Sequence, residues 1–287
     1  MSNYTHKTAP TQFVEAAGIR FAYRRFGAKI DIPLLFFMHF TGTMDHWDPA
    51  VTDGFAQDRE VILFNNAGVS SSTGEVPTSI EEMAHHAATF IDALGVKNLD
   101  ALGFSIGGFV AQQFTMDRPD LVRKLILVGT GPRGGEGMAS LTPEGQEIFG
   151  AKYDPADELW LRALFTPSER SQAAGSKYLE RQRGRKENRD PLPNEKVAPA
   201  QLAALQKWGA PEKDPYAYLK KITQPTLIFA LMDGIGSLAV APAGGLRLPI
   251  RALHTDGWPN HLRFIALVRM ARIGRTRRGS CDYALWV

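Results

Sequence analysis

The sequence predicts an α/β protein: a mainly parallel sheet with helices on both faces and an all-helical insertion. Three observations carry that expectation. Residues 34–38 and 61–64 are apolar at every position, as in strands buried on both faces, instead of alternating. Helical stretches separate such runs at the spacing of strand–helix–strand units. From Gly134 to about Lys221 the strand pattern stops, and polar or amphipathic pieces lie between prolines and glycines until residues 224–229 restore a buried strand.

In chain order, Phe13-Val14-Glu15 and Ile19-Arg20-Phe21-Ala22-Tyr23 alternate around Gly18 and read as a β-hairpin. Ser79, with Glu82 three residues on, opens a helix that Gly95 closes. Residues 99–104 are a strand that enters Gly103-Phe104-Ser105-Ile106-Gly107; an amphipathic stretch over 109–116 follows, ended by Arg118-Pro119-Asp120. Residues 124–128 are the next strand. Within the insertion, 157–165 and 200–205 read as helices, and the charged run 181–189 as a solvated helix face. The expected organisation is a core over 1–133, a helical lid over 134–221 and the last part of the core over 222–287.

Composition bounds the partners. A chain of 287 residues, 44% hydrophobic and 22% charged, is long enough for one large core. No apolar run approaches the roughly 20 residues that cross a bilayer, and Met1-Ser2-Asn3-Tyr4-Thr5-His6 lacks the basic-then-apolar start of a secretion signal, so a cytoplasmic location is expected. One cysteine, Cys281, forms no intramolecular disulfide and no thiolate metal cluster. A net charge of +3 is too small to point to nucleic acid. The expected partner is a small-molecule substrate, with no nucleic acid, membrane, metal or cofactor. Gly129-Thr130-Gly131-Pro132-Arg133-Gly134 matches a dinucleotide-binding pattern, but Gly134-Gly135-Glu136-Gly137 cannot open the helix that such a site requires, so it reads as a loop.

The chemistry centres on Gly103-Phe104-Ser105-Ile106-Gly107. Between a buried strand and a helix this pattern is a sharp turn that holds its serine in a strained conformation with the hydroxyl exposed above the sheet. The N–H of Ile106 and the positive end of the helix then face any oxyanion formed there.

With this motif, two further segments resemble the α/β-hydrolase fold family, in particular lidded serine hydrolases related to esterases and cofactor-free haloperoxidases. Met38-His39-Phe40-Thr41-Gly42-Thr43-Met44-Asp45-His46-Trp47 is similar to the family's loop after the third strand, and counting back from Trp47 puts Phe40 at the first oxyanion-donor position. Asn65-Asn66-Ala67-Gly68-Val69-Ser70-Ser71-Ser72 is similar to an Asp-x-x-Gly-x-Gly-x-Ser loop, with Asn65 in place of the aspartate. The resemblance runs from about residue 11 to residue 229. It implies Ser105 as nucleophile, Phe40 and Ile106 as oxyanion donors, and hydrolysis of a small carboxylic ester or related acyl compound through an acyl-serine, with peracid formation or halogenation as a side activity. The alternative is a catalytically impaired or non-catalytic member of the fold that binds a small ligand or partner.

By the same resemblance an acid should follow the strand at 226–229 and a histidine should come near the C-terminus. The acid candidate is Asp233, one position short of the family's Gly-x-x-Asp. The base candidates are His261, 28 residues further on but without a preceding glycine, and His254. His39 and His46 in the loop read as hydrogen-bonded structural histidines, and His85 and His86 as exposed or at a sheet edge. Composition changes at the same point. Residues 229–287 hold eight arginines, no lysine, three aspartates and no glutamate, a net of +5 against −2 for residues 1–228. A late frameshift in the coding sequence or a divergent end would produce that change, leaving a nucleophile and oxyanion donors with no histidine placed to serve them.

Overall fold

A computed structural model describes residues 4–29, 32–135, 143–214 and 216–231, with the backbone of 251–252 and 264–269. The strands β1 (Gln12–Ala16), β2 (Ile19–Gly27), β3 (Leu34–Phe37), β4 (Glu60–Phe64), β5 (Leu99–Phe104), β6 (Val122–Val128), β7 (Thr226–Leu231), β8 (Arg251–Ala252) and β9 (Phe264–Arg269) form one sheet in the order β1-β2-β4-β3-β5-β6-β7-β9-β8. The five strands from β4 to β7 in that order are parallel neighbours. The β1–β2 hairpin and β9–β8 add antiparallel edges.

The uninterrupted apolar runs are explained by two cores. Leu35 and Phe37 of β3, with Ile62 and Phe64 of β4, point to one face, where they meet α2 (Ile80–Ala93) and α3 (Ile106–Asp117) through Phe90 and Phe114. Leu34, Phe36, Val61 and Leu63 point to the other face and meet Phe55 and Ala56 of α1 (Pro49–Ala56). Because side chains alternate along a strand, burying both faces requires every position to be apolar. The ends of α2 follow the sequence signals: the Ser79 hydroxyl accepts from the Glu82 N–H at 3.2 Å, and Gly95 takes the left-handed φ of 69° after the last turn. Among the described residues no helix is long and apolar enough to cross a membrane.

Between β6 and β7 the described residues contain helices and no strand: α4 (Pro143–Gly150), α5 (Leu159–Leu164), α6 (Glu169–Gln182) and α7 (Val197–Gly209), with short 3₁₀ turns. Ile148, Trp160, Ala163, Tyr178 and Leu179 give α4–α6 a small core of their own. In contrast, α7 joins the main core, where Trp208 stacks on Phe109 at 5.5 Å. One expectation fails here. The run 181–189 is not a solvated helix face, because α6 ends at Gln182 and the Arg185 side chain is 2% exposed. Its guanidinium donates to the carbonyls of His6, Lys7 and Ala9, so it serves as a buried tie to the N-terminal segment. Charge in a sequence does not reveal that a row of carbonyls is waiting to accept it.

Candidate active site

Parallel pairing of β3 with β5 sets Phe37 opposite Gly103, so the chain leaves both strands at the same end of the sheet. One loop leads to Phe40 and the other to Ser105. Ser105 adopts φ 54° and ψ −124°, a region that residues with a Cβ rarely enter. Three bonds hold it there. Its N–H donates to Val128 O at 3.0 Å, and its carbonyl accepts from the Gly108 N–H and the Thr130 hydroxyl, both at 2.8 Å. The flanking glycines are required sterically. A Cβ on Gly107 would overlap the Phe37 carbonyl oxygen and lie 2.6 Å from Met38 O, while one on Gly103 would overlap the Gly107 carbonyl. Without those atoms α3 starts directly against the end of β3.

Ile106 is the first residue of α3, and neither its N–H nor that of Phe40 meets a protein acceptor among the described residues. The aligned peptides of α3 add positive potential at that end. Ser105 is half-buried.

The loop after β3 is held on several sides. His39 is 4% exposed and packs against Trp160 of α5 at 4.4 Å and Phe104 at 5.5 Å. Burial, helped by neighbouring His46, pushes its pKa down to about 3, so the ring is neutral. The Phe40 carbonyl only accepts, so the 2.9 Å contact with Nδ1 places the ring proton on Nδ1. Nε2 is buried with no partner among the described residues. The expectation of a satisfied histidine therefore holds for one nitrogen of His39, not both. His46 fits it better, with Nδ1 accepting from the Thr43 N–H at 2.9 Å. A cavity of about 40 Å³ adjoins the loop, lined by His39, Gly42, Asn65, Asn66, Ile106 and Gln201 among others.

Behind the loop lies an ion network that the sequence did not announce. Arg24 is fully buried on β2, with its guanidinium 2.5 Å from Asp45 and 3.3 Å from Asp190. Burial alone would raise the Asp45 carboxyl, but the Arg24 charge and hydrogen bond hold it below its usual value. At Asp190 burial prevails and raises the carboxyl. Asn65, in the position where the family loop carries an aspartate, accepts from the Met44 N–H at 3.0 Å and donates to Asp190 at 3.1 Å, joining the loop to the insertion.

Residues 129–135 are irregular, with Gly129 and Gly134 at φ 51° and 63°. His85 is exposed and His86 is half-buried on α2. Asp233, His254 and His261 lie outside the described residues.

The model of the alpha/beta hydrolase fold matches residues 32–242. The chain belongs to the alpha/beta hydrolase fold family. An alpha/beta hydrolase fold protein from Chitinophaga pinensis superposes with a TM-score of 0.72 at 36% identity, covering 78% of this chain and 80% of that one. Est816, described as an N-acyl homoserine lactone degrading enzyme, aligns at 26% identity with a TM-score of 0.54, covering 76% and 80%. A 2-hydroxy-6-oxononadienedioate/2-hydroxy-6-oxononatrienedioate hydrolase from Pseudomonas sp. is 31% identical over 94 residues, which is 32% of this chain and 33% of that protein. The first-ranking matches to curated relatives span about a third of those proteins' length.

Proposed function

We propose that this alpha/beta hydrolase is a serine hydrolase that cleaves a small carboxylic ester or related acyl compound through an acyl-serine intermediate. The observation that carries the reading is Ser105 itself, held at φ 54° between β5 and α3 beside the N–H of Ile106, which meets no acceptor among the described residues. In this reading the Ser105 hydroxyl attacks the substrate carbonyl and its proton passes to a histidine. Negative charge develops on the carbonyl oxygen, which the N–H groups of Ile106 and Phe40 stabilise, each worth roughly 100- to 1,000-fold in rate. The leaving alcohol departs with the histidine's proton, and water then releases the acid from the acyl-serine by the same route. The base and acid in this proposal are His261 and Asp233, in the chain order serine, acid, histidine. The helices between β6 and β7 act as a lid, and their apolar side chains suit an apolar acyl or alcohol group. Est816, 26% identical and described as an N-acyl homoserine lactone degrading enzyme, gives support as a relative that acts on an acyl compound.

The test combines labelling and turnover. A fluorophosphonate should modify Ser105, and short p-nitrophenyl esters should be hydrolysed by the protein but not by Ser105→Ala, with His261→Ala and Asp233→Asn losing most activity. Full activity in Ser105→Ala would overturn the assignment. The composition change after residue 228 favours a second reading, a fold member with nucleophile and oxyanion donors but no base. That reading predicts neither labelling nor turnover.

A further inference from the structure

The loop after β3 turns sharply at His39–Gly42, closed by the Gly42 N–H donating to His39 O at 3.0 Å. Phe40 and Thr41 are its two central residues. Thr41 has φ 55°, whereas Phe40 is not among the residues at positive φ. Positive φ at the second central position alone is the type II arrangement, which ordinarily asks for glycine or asparagine there. A β-branched threonine prefers the type I turn. The two forms differ by rotation of the central peptide, here the one joining Phe40 to Thr41.

Both ends of that peptide are held by buried side chains. Its carbonyl accepts from Nδ1 of His39 at 2.9 Å, and its N–H donates to Oε1 of Gln201 at 2.6 Å. Gln201 is 7% exposed and sits on α7, which Ala204 and Trp208 fix to the main core. His39 is held in turn by the Trp160 ring of α5. The strained turn therefore depends at both ends on the helical insertion. If the peptide flipped, both hydrogen bonds would be broken, and re-forming them would require the Gln201 amide to rotate and the His39 proton to move to Nε2.

We infer that Gln201 and His39 are positioning residues that lock the Phe40–Thr41 peptide, so that the seating of the insertion sets the backbone of the oxyanion loop. This deepens the hydrolase reading and rests on Phe40 being an oxyanion donor. Gln201 acts through the backbone on which Phe40 lies.

The experiment compares the intact chain with Gln201→Leu, which removes the acceptor, and Gln201→Glu, which keeps it. Amide hydrogen exchange is followed at Thr41 by NMR, with the amides of residues 204–208 as the control for folding of α7. Gln201→Leu should speed Thr41 exchange at least 10-fold with α7 unchanged, and Gln201→Glu should restore it. In p-nitrophenyl ester turnover, Gln201→Leu should lower kcat about 10- to 100-fold, a part of the loss expected from removing an oxyanion donor, with KM unchanged. A Thr41→Gly background, where the turn carries no strain, should shrink both effects. Unchanged Thr41 exchange in Gln201→Leu would overturn the inference, as would an equal kcat penalty in the glycine background. The exchange comparison decides the lock even if the protein turns over no ester, an outcome that would defeat the hydrolase reading alone.

Discussion

Replacing Ser105 in two ways should separate the backbone strain from the loss of the hydroxyl. At φ 54° and ψ −124° a residue with a Cβ carries about 1–3 kcal/mol of backbone strain. Glycine enters that region freely but loses about 0.5–1 kcal/mol through its more flexible unfolded chain. Ser105→Gly should therefore be more stable than the parent, by up to about 2.5 kcal/mol. Ser105→Ala keeps the Cβ and the strain, and it deletes a half-buried hydroxyl, so it should stay within about 0.5 kcal/mol of the parent. Urea unfolding followed by tryptophan fluorescence measures both, with an unchanged m-value confirming that the folded and unfolded states are otherwise comparable. A Ser105→Gly protein no more stable than Ser105→Ala would refute the reasoning, because the strain would then not reside in this backbone. Both variants should fail to hydrolyse esters, separating the stability effect from the chemistry.

Gly107→Ala should disrupt the site from behind: its Cβ overlaps the Phe37 carbonyl, so α3 must retreat from β3, with a loss of about 3 kcal/mol or more and of fluorophosphonate labelling. Arg24→Ala takes from Asp190 its ion pair and leaves Asp45 only the more distant guanidiniums of Arg185 and Arg189, at 3.7 and 4.0 Å, and should cost about 3 kcal/mol in denaturant unfolding. Arg24→Ala with Asp45→Ala should cost less than the two single losses added together. Acid should destabilise the protein through its buried histidines. His6 and His39 are lowered mainly by burial, to about 4 and about 3, so their contribution is fully present above pH 6.5 and is lost as pH falls towards those values. Each contributes a slope of up to about 1.4 kcal/mol per pH unit in that window, partly opposed by Asp53 and Asp190, whose carboxyls burial raises. Unfolding free energy measured from pH 7 to 4 should show that fall, and His6→Gln should reduce its slope.

The sequence by itself determined the elements whose causes are local. The unbroken apolar strands, the Ser79 cap, the glycines at 103 and 107 and the turn at Ser105 each follow from a few neighbouring residues, and each lies where the pattern put it. The helical character of the insertion was legible in the same way, from lost periodicity. What tertiary structure decided involves partners far apart in the chain. Arg185 is 176 residues from the Ala9 carbonyl that it binds, and Gln201 is 160 residues from Thr41. A lone glutamine or an arginine in a charged run carries no signal of such a partner. Their roles appear only when packing removes water and leaves one acceptor or donor within reach, because a buried polar group must find its bond inside the protein. The same physics places His39 on both sides of the line: its position in the loop was readable, but its single satisfied nitrogen and its neutral ring came from the burial that Trp160 and Phe104 impose.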